Sequence, residues 1–108
     1  MELERILCAA IWYKELELKM PEVLQPRGYS PYNIDKGVIF CGWRHHNCMY
    51  QKIAVTGLKE SLTGDNVQGF LTSKNRFVDR YEGNTIAINA GQAPKNSPGD
   101  RLFSEDLY

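Results

Sequence analysis

The sequence predicts an α+β protein, one small domain in which a short antiparallel sheet is packed by two main helices. Two short apolar runs, Gly69-Phe70-Leu71 and Arg76-Phe77-Val78, flank the polar Thr72-Ser73-Lys74-Asn75 and read as strand, turn and strand. Asn tolerates the left-handed backbone such a turn needs. The second run leads directly into Asp79, an N-cap residue, and Glu82 three positions later makes an Asp-x-x-Glu variant of the capping box. Two further apolar runs, at 5–13 and 36–42, supply the rest of the sheet, and a length of 108 residues sets one domain with a modest core.

Taken in order, residues 5–13 (RILCAAIWY) read as a buried strand. Residues 15–20 alternate polar and apolar, as a half-buried strand does, either extending the first or pairing with it as a hairpin. Pro21, Pro26, Gly28 and Pro31 then break up the chain to Asp35, so 16–35 reads as a long inserted loop. Its Tyr29 and Tyr32 are expected to pack on the body or to cover a ligand. Residues 36–42 form the next strand, and a helix follows from Trp43 through about Thr56. Cys48, Met49, Tyr50, Ile53 and Ala54 are its expected apolar face, and Gly57 closes it. A polar connector over 57–68 precedes the 69–78 hairpin. The helix begun at Asp79 ends at Gly91, where glycine suits the left-handed position past a helix end. Residues 93–108 form a loop and a tail ending in LFSEDLY, whose apolar side chains dock on the chain's own core or on a neighbouring subunit. Ser104 is placed to cap a last helical turn.

Thirteen Lys and Arg against thirteen Asp and Glu leave no net charge, which argues against a grip on long nucleic acid. A single small nucleotide needs only two or three cationic groups. No apolar run approaches the roughly 20 residues of a membrane span. The first residues lack the basic region and cleavage site of a signal peptide, and three unevenly spaced cysteines do not make a disulfide framework. A cytoplasmic location is expected. Two Trp, six Tyr and four Phe are enough for both a core and an interface, so a homo-oligomer is expected.

Arg44, His45 and His46 open a helix directly after a strand and a glycine turn. Cations are unfavourable at a helix N-terminus unless an anionic ligand gathers both the dipole and the side chains. Thr72, Asn75, Arg76, Asp79 and Arg80, with Phe70 and Phe77, crowd a second strand-to-helix junction. The two junctions together suit a phosphorylated ligand. Arg44, His45, His46, Arg76 and Arg80 are candidates for its phosphates, Phe70 or Phe77 for stacking on a base, and Thr72 and Asn75 for ribose or base edge. Asp79 is expected to be occupied in capping. The alternative is structural, with Arg44 paired to a carboxylate, one histidine satisfied inside, and the turn merely solvated. Cys41, His45, His46 and Cys48 lie close together but lack the paired spacing of a zinc knuckle, so no metal or cofactor is expected. A Cys48–His45 nucleophile is possible by spacing. Adjacent histidines on a helix point about 100° apart and would not share one scissile bond. There is no phosphate-binding P-loop and no HEXXH motif.

The segments ILCAAIWY, VIFCGWRHHNC, QGFLTSKNRFVDR, AGQ and LFSEDLY, in this order, resemble the phage Thoeris anti-defence sponge proteins. The likeness spans roughly three-quarters of the chain. It places an Arg-His element on Arg44, His45 and His46, a Gly-Phe-x-Thr-Ser run on 69–73 and an Arg-Phe-Val-x-Arg run on 76–80. The resemblance implies a non-enzymatic protein of the infected bacterial cell that sequesters a cyclic ADP-ribose immune signal without cleaving it. It further implies cyclic oligonucleotide binding at a separate site and assembly into dimers or hexamers. Two departures stand out, namely Gly83 inside the second helix and the 16–35 insertion. The rival readings are a phosphodiesterase that uses His45 or His46 on such a signal, and a phage factor that binds a host protein through its aromatic tail.

Overall fold

A computed structural model describes residues 3–16, 31–34, 36–57 and 66–107. Its elements run β1 (Ile6–Tyr13), β2 (Val38–Gly42), α1 (His45–Thr56), β3 (Asn66–Thr72), β4 (Phe77–Asp79) and α2 (Arg80–Asn89), followed by a 3-10 turn at Ser104–Asp106. The four strands form one sheet in the order β2-β1-β3-β4, antiparallel throughout. The α+β architecture expected from the sequence is therefore the observed one. The expected 15–20 strand is not, as far as it is described: Lys14 and Glu15 form a turn and Leu16 is buried without strand pairing, while 17–20 lie outside the described residues. Most of the 16–35 loop, Tyr29 included, lies outside them as well.

β1 is central and carries the two-residue alternation that divides the molecule. Ala9, Ile11 and Tyr13 face the helices, where they join Phe40, Cys48, Phe70, Val78, Ile86, Ala87 and Leu102 in the main core. Ala10 and Trp12 face the other way with Ile39, Leu71 and Phe77, and Ile34 covers them. The 31–34 segment is held there by Asn33. Its side-chain amide donates to Phe77 O and its oxygen accepts from Phe77 N–H, at 2.7 and 2.9 Å. One amide side chain thus satisfies the outer edge of β4, a backbone edge that must otherwise be covered. Gln92 does the same for Ile6, accepting from its N–H and donating to its carbonyl, both at 2.8 Å, beside the register shift between Ile6 and Cys8.

The helix ends follow the sequence. Gly57 and Gly91 are both left-handed, with φ of 71° and 73°. After α2 the Gly91 N–H bonds Ile88 O and the Gln92 N–H bonds Ala87 O, the paired closure that satisfies the last carbonyls. Asp79 accepts from the N–H groups of Tyr81 and Glu82. Glu82 does not complete the box; its carboxylate pairs with Arg76 at 2.9 Å. Ser104 is buried and opens the last turn, and it is the Asp106 carboxylate that accepts from the Phe103 N–H.

The face of α1 departs in part: Cys48 and Met49 pack on the core as expected, but the rest of the expected face does not. Its buried residues are His45, Cys48 and Lys52, whereas Tyr50, Ile53, Ala54 and Val55 are exposed. The helix is rotated because its entrance is fixed by His45, which must reach the sheet. Lys52 accepts burial by laying its ammonium over the Tyr13 ring, 5.3 Å from the centroid. Gly83 in α2 has a packing reason: a Cβ there would lie 3.1 Å from the Phe70 ring, so its absence lets α2 sit close on β3.

Candidate functional site: a cationic cleft at two helix entrances

The two helix entrances meet. His45, the first residue of α1, is buried edge-on to Phe70 with ring centroids 5.2 Å apart. Its Nε2 lies 2.9 Å from Gly69 O on β3. A carbonyl can only accept, so Nε2 carries the proton and Nδ1 is left as an acceptor. Arg80, the first residue of α2, points its Nη2 at that Nδ1 from 3.3 Å. The same guanidinium donates to Gln68 Oε1 at 2.6 Å and to Leu102 O at 2.8 Å. Burial lowers the pKa of His45 most, the Arg80 charge adds to this, and the Gly69 carbonyl and Glu105 oppose it. The ring is therefore neutral at neutral pH.

The tail completes the cleft. Leu102 is fully buried and its N–H bonds Arg80 O, which fixes Phe103 beside the arginine. Arg80 and Arg101 both lie over the Phe103 ring, with guanidinium carbons 4.8 and 5.6 Å from its centroid. Arg44 extends from the α1 entrance to Glu105, 3.9 Å away. Burial, followed by the nearness of Arg101, lowers the pKa of Arg80, with Glu105 opposing. Three arginines thus surround one neutral imidazole and one half-exposed aromatic ring. Glu105 is the carboxylate that the described residues place against them.

The helix dipoles contribute unequally. The α2 entrance is already filled, since Asp79 takes two of its N–H groups. At α1 the N-cap is Arg44, which carries no acceptor, and the Asn47 side chain bonds the Arg44 N–H at 3.0 Å. An anion would therefore meet the dipole of α1 and the side chain, but not the dipole, of α2.

Of the residues selected from the sequence, Arg44, His45 and Arg80 come together, and exposed His46 stands beside them against Tyr50, with ring centroids 5.8 Å apart. Phe70 takes part only from behind, as the buried wall of His45. Thr72, Asn75, Arg76 and Phe77 belong elsewhere, at the β3–β4 hairpin. Asn75 holds the turn at φ 58°. Arg76 is divided between Glu4, at 2.8 and 2.9 Å, and Glu82. Thr72 also donates to Glu4, which Arg76 holds down at about 2 on the pH scale, while Glu4 raises the pKa of Arg76. Phe77 is buried on the opposite face against Trp12. Gln68, Arg101, Phe103 and Glu105 are not among the residues that the sequence selects, because the tail's pattern points only to apolar docking. Among the described residues, no group of three His, Cys, Asp or Glu side chains is arranged to hold a metal.

The fold and the cleft define a small α+β domain with a cationic, aromatic-walled cleft at two converging helix entrances. The chain belongs to the phage T4 y16D protein family, whose model matches residues 5–108. No curated protein matches it, and no solved structure does. No helix among the described residues is long and apolar enough to cross a membrane.

Proposed function

We propose that this phage-family protein is an anti-defence sponge that binds a host immune nucleotide, of cyclic ADP-ribose or cyclic oligonucleotide type, and holds it intact. The observation that carries the reading is the convergence of Arg44, Arg80 and Arg101 on His45 and Phe103. Guanidinium groups match the oxygens of a pyrophosphate or phosphodiester two at a time. Phe103, 42% exposed, leaves part of its ring within reach of a base, as buried Phe70 and Phe77 do not. Engagement of both His45 nitrogens favours holding over hydrolysis, since a general base needs a nitrogen open to the proton it removes. The resemblance in the Arg-His element and in the terminal SEDL run points the same way. The functional form we propose is a homo-oligomer in the cytoplasm of the infected cell. The exposed Tyr50, Ile53 and Val55 of α1 supply apolar surface for it.

The test is calorimetric titration with cyclic ADP-ribose and with a cyclic oligonucleotide, followed by heat denaturation and chromatography of the released ligand. Intact ligand supports a sponge, and recovered product would establish hydrolysis instead. Removing one charge-assisted phosphate contact costs about 1.5–3 kcal/mol, roughly ten- to a hundredfold in affinity. Arg44→Ala and Arg101→Ala should each weaken binding at least tenfold while moving the melting temperature little. Unchanged affinity in both variants would remove the site.

A further inference from the structure

On the side of the sheet away from the helices, Cys8 and Cys41 form a thiol pair. Ala10 is the direct partner of Cys41 across β1 and β2, and Cys8 stands two residues before Ala10 on the same face. The two thiols therefore stand diagonally across the paired strands. Cys41, near the end of an edge strand, is exposed, and Cys8 is half-buried. They open into a groove of about 300 Å³ lined by Leu7, Cys8, Cys41, Gly42 and Trp43, with no charged side chain among these. Leu7 and Trp43, 58% and 73% exposed, give it apolar lips. The third cysteine is a contrast within the same chain. Cys48 is fully buried in the main core, where its thiol donates to backbone carbonyls and burial pushes it up to about 12.

We infer that Cys41 is a reactive modification site that exchanges with low-molecular-weight disulfides carrying an aromatic or apolar arm, and that Cys8 is its resolving thiol. The Cys41 thiolate attacks one sulfur of the disulfide, forming a mixed disulfide and expelling the first arm as a thiolate. Cys8 gives up its proton to solvent and attacks the Cys41 sulfur. The Cys8–Cys41 bond forms and the second arm leaves. The protein loses two protons and two electrons, and the disulfide is reduced to two thiols. The groove takes up the arm, and the neighbouring Cys8 thiol stabilises the attacking anion. The Cys8 thiol beside it holds Cys41 below the ordinary thiol range, while the interaction with Cys41 and burial push Cys8 above it. Cys41, being the more exposed, keeps its anion hydrated and is the one that attacks. Because nucleophilicity falls with pKa, the advantage is small at neutral pH. The advantage grows as pH falls below neutral, where an ordinary thiol is almost wholly protonated.

The probe is 4,4′-dithiodipyridine, added to the native chain at pH 6, with released thiopyridone followed by absorbance and the sites mapped by mass spectrometry after alkylation. The expected result is two equivalents released, a Cys8–Cys41 cross-linked peptide, and Cys48 recovered unreacted. Cys8→Ser should release one equivalent and keep the mixed disulfide on Cys41. Cys41→Ser should slow the fast phase at least tenfold. Reaction of Cys41 no faster than an ordinary thiol, or a mixed disulfide that persists on Cys41 in the unmutated chain, overturns the assignment. The readout is covalent and does not depend on nucleotide binding.

Discussion

His45 and Arg80 show what one residue contributes when another fixes its proton. The Gly69 carbonyl holds hydrogen on Nε2, and this turns Nδ1 toward Arg80 as an acceptor. Protonating Nδ1 would set an N–H against the Arg80 N–H and add a buried charge. The folded pKa of His45 lies below its ordinary 6.5, so its contribution to stability is complete above about pH 6.5 and is lost as pH falls toward the depressed value. The melting temperature should therefore drop between about pH 7.5 and pH 5.5, before most carboxylates titrate. His45→Gln should abolish most of that drop, and His46→Gln should keep it. An equal drop in His45→Gln would show that another group is responsible. Arg80 carries a related consequence. It holds Leu102 as well as facing the cleft, so Arg80→Ala should weaken binding and lower stability together, unlike Arg44→Ala. The sequence marked Arg44, His45 and Arg80 because cations at helix entrances are locally anomalous. It could not mark Arg101, Phe103 or Gln68. Arg101 and Phe103 gain their role from the tail reaching Arg80, over twenty residues away, and Gln68 meets Arg80 from β3; nothing in their local pattern departs from an ordinary surface.

At the scale of elements, caps and turns were legible because their chemistry lies within four residues. Asn75, Asp79, Gly57 and Gly91 each do what their residue type suits. Asp79→Ala should cost about 1 kcal/mol, within the usual range for a lost cap, and lower the melting temperature by about 4–8 °C in a two-state thermal scan. Gly83 goes against local expectation. Alanine is the better helix former by about 1 kcal/mol, yet its methyl would lie 3.1 Å from the ring of fully buried Phe70 and push it aside by a few tenths of an ångström. The orientation of α1 was misread for a comparable reason. Apolar spacing selected Tyr50, Ile53 and Ala54 for the interior, but the helix is anchored at its start by a histidine bonded to β3. Once that bond is made, helical periodicity carries Cys48 and Lys52 inward and turns the apolar residues out. Periodicity defines a face but does not say which way it turns when a polar residue holds the anchor.

Across the whole molecule, the tail packs into the folded subunit, whereas the outer face of α1 is the surface proposed for assembly. Leu102 is fully buried among Phe70, Val78 and the α2 residues, Ser104 is buried beside it, and Arg80 depends on the Leu102 carbonyl. Deleting 102–108 removes a core residue, the partner of Arg80 and the backbone bond to Arg80 O together. Loss of a buried leucine alone costs about 2–5 kcal/mol, a large share of the stability of a domain this size. The truncated chain should therefore lose its cooperative thermal transition instead of yielding folded subunits. The exposed apolar residues of α1 make no such contribution. Ile53→Glu combined with Val55→Glu places charges on surface already open to water, so the melting temperature of the folded subunit should move by only about 3 °C. Across a two-fold interface the same substitutions meet their own copies, so each charge is repeated against a like charge. In native mass spectrometry the unmutated chain should appear as a dimer or a multiple of it, and the doubly substituted chain as a folded monomer that retains its transition. A monomeric mass for the unmutated chain at micromolar concentration would remove the oligomer. An assembly unchanged by both glutamates would place the interface elsewhere than on α1.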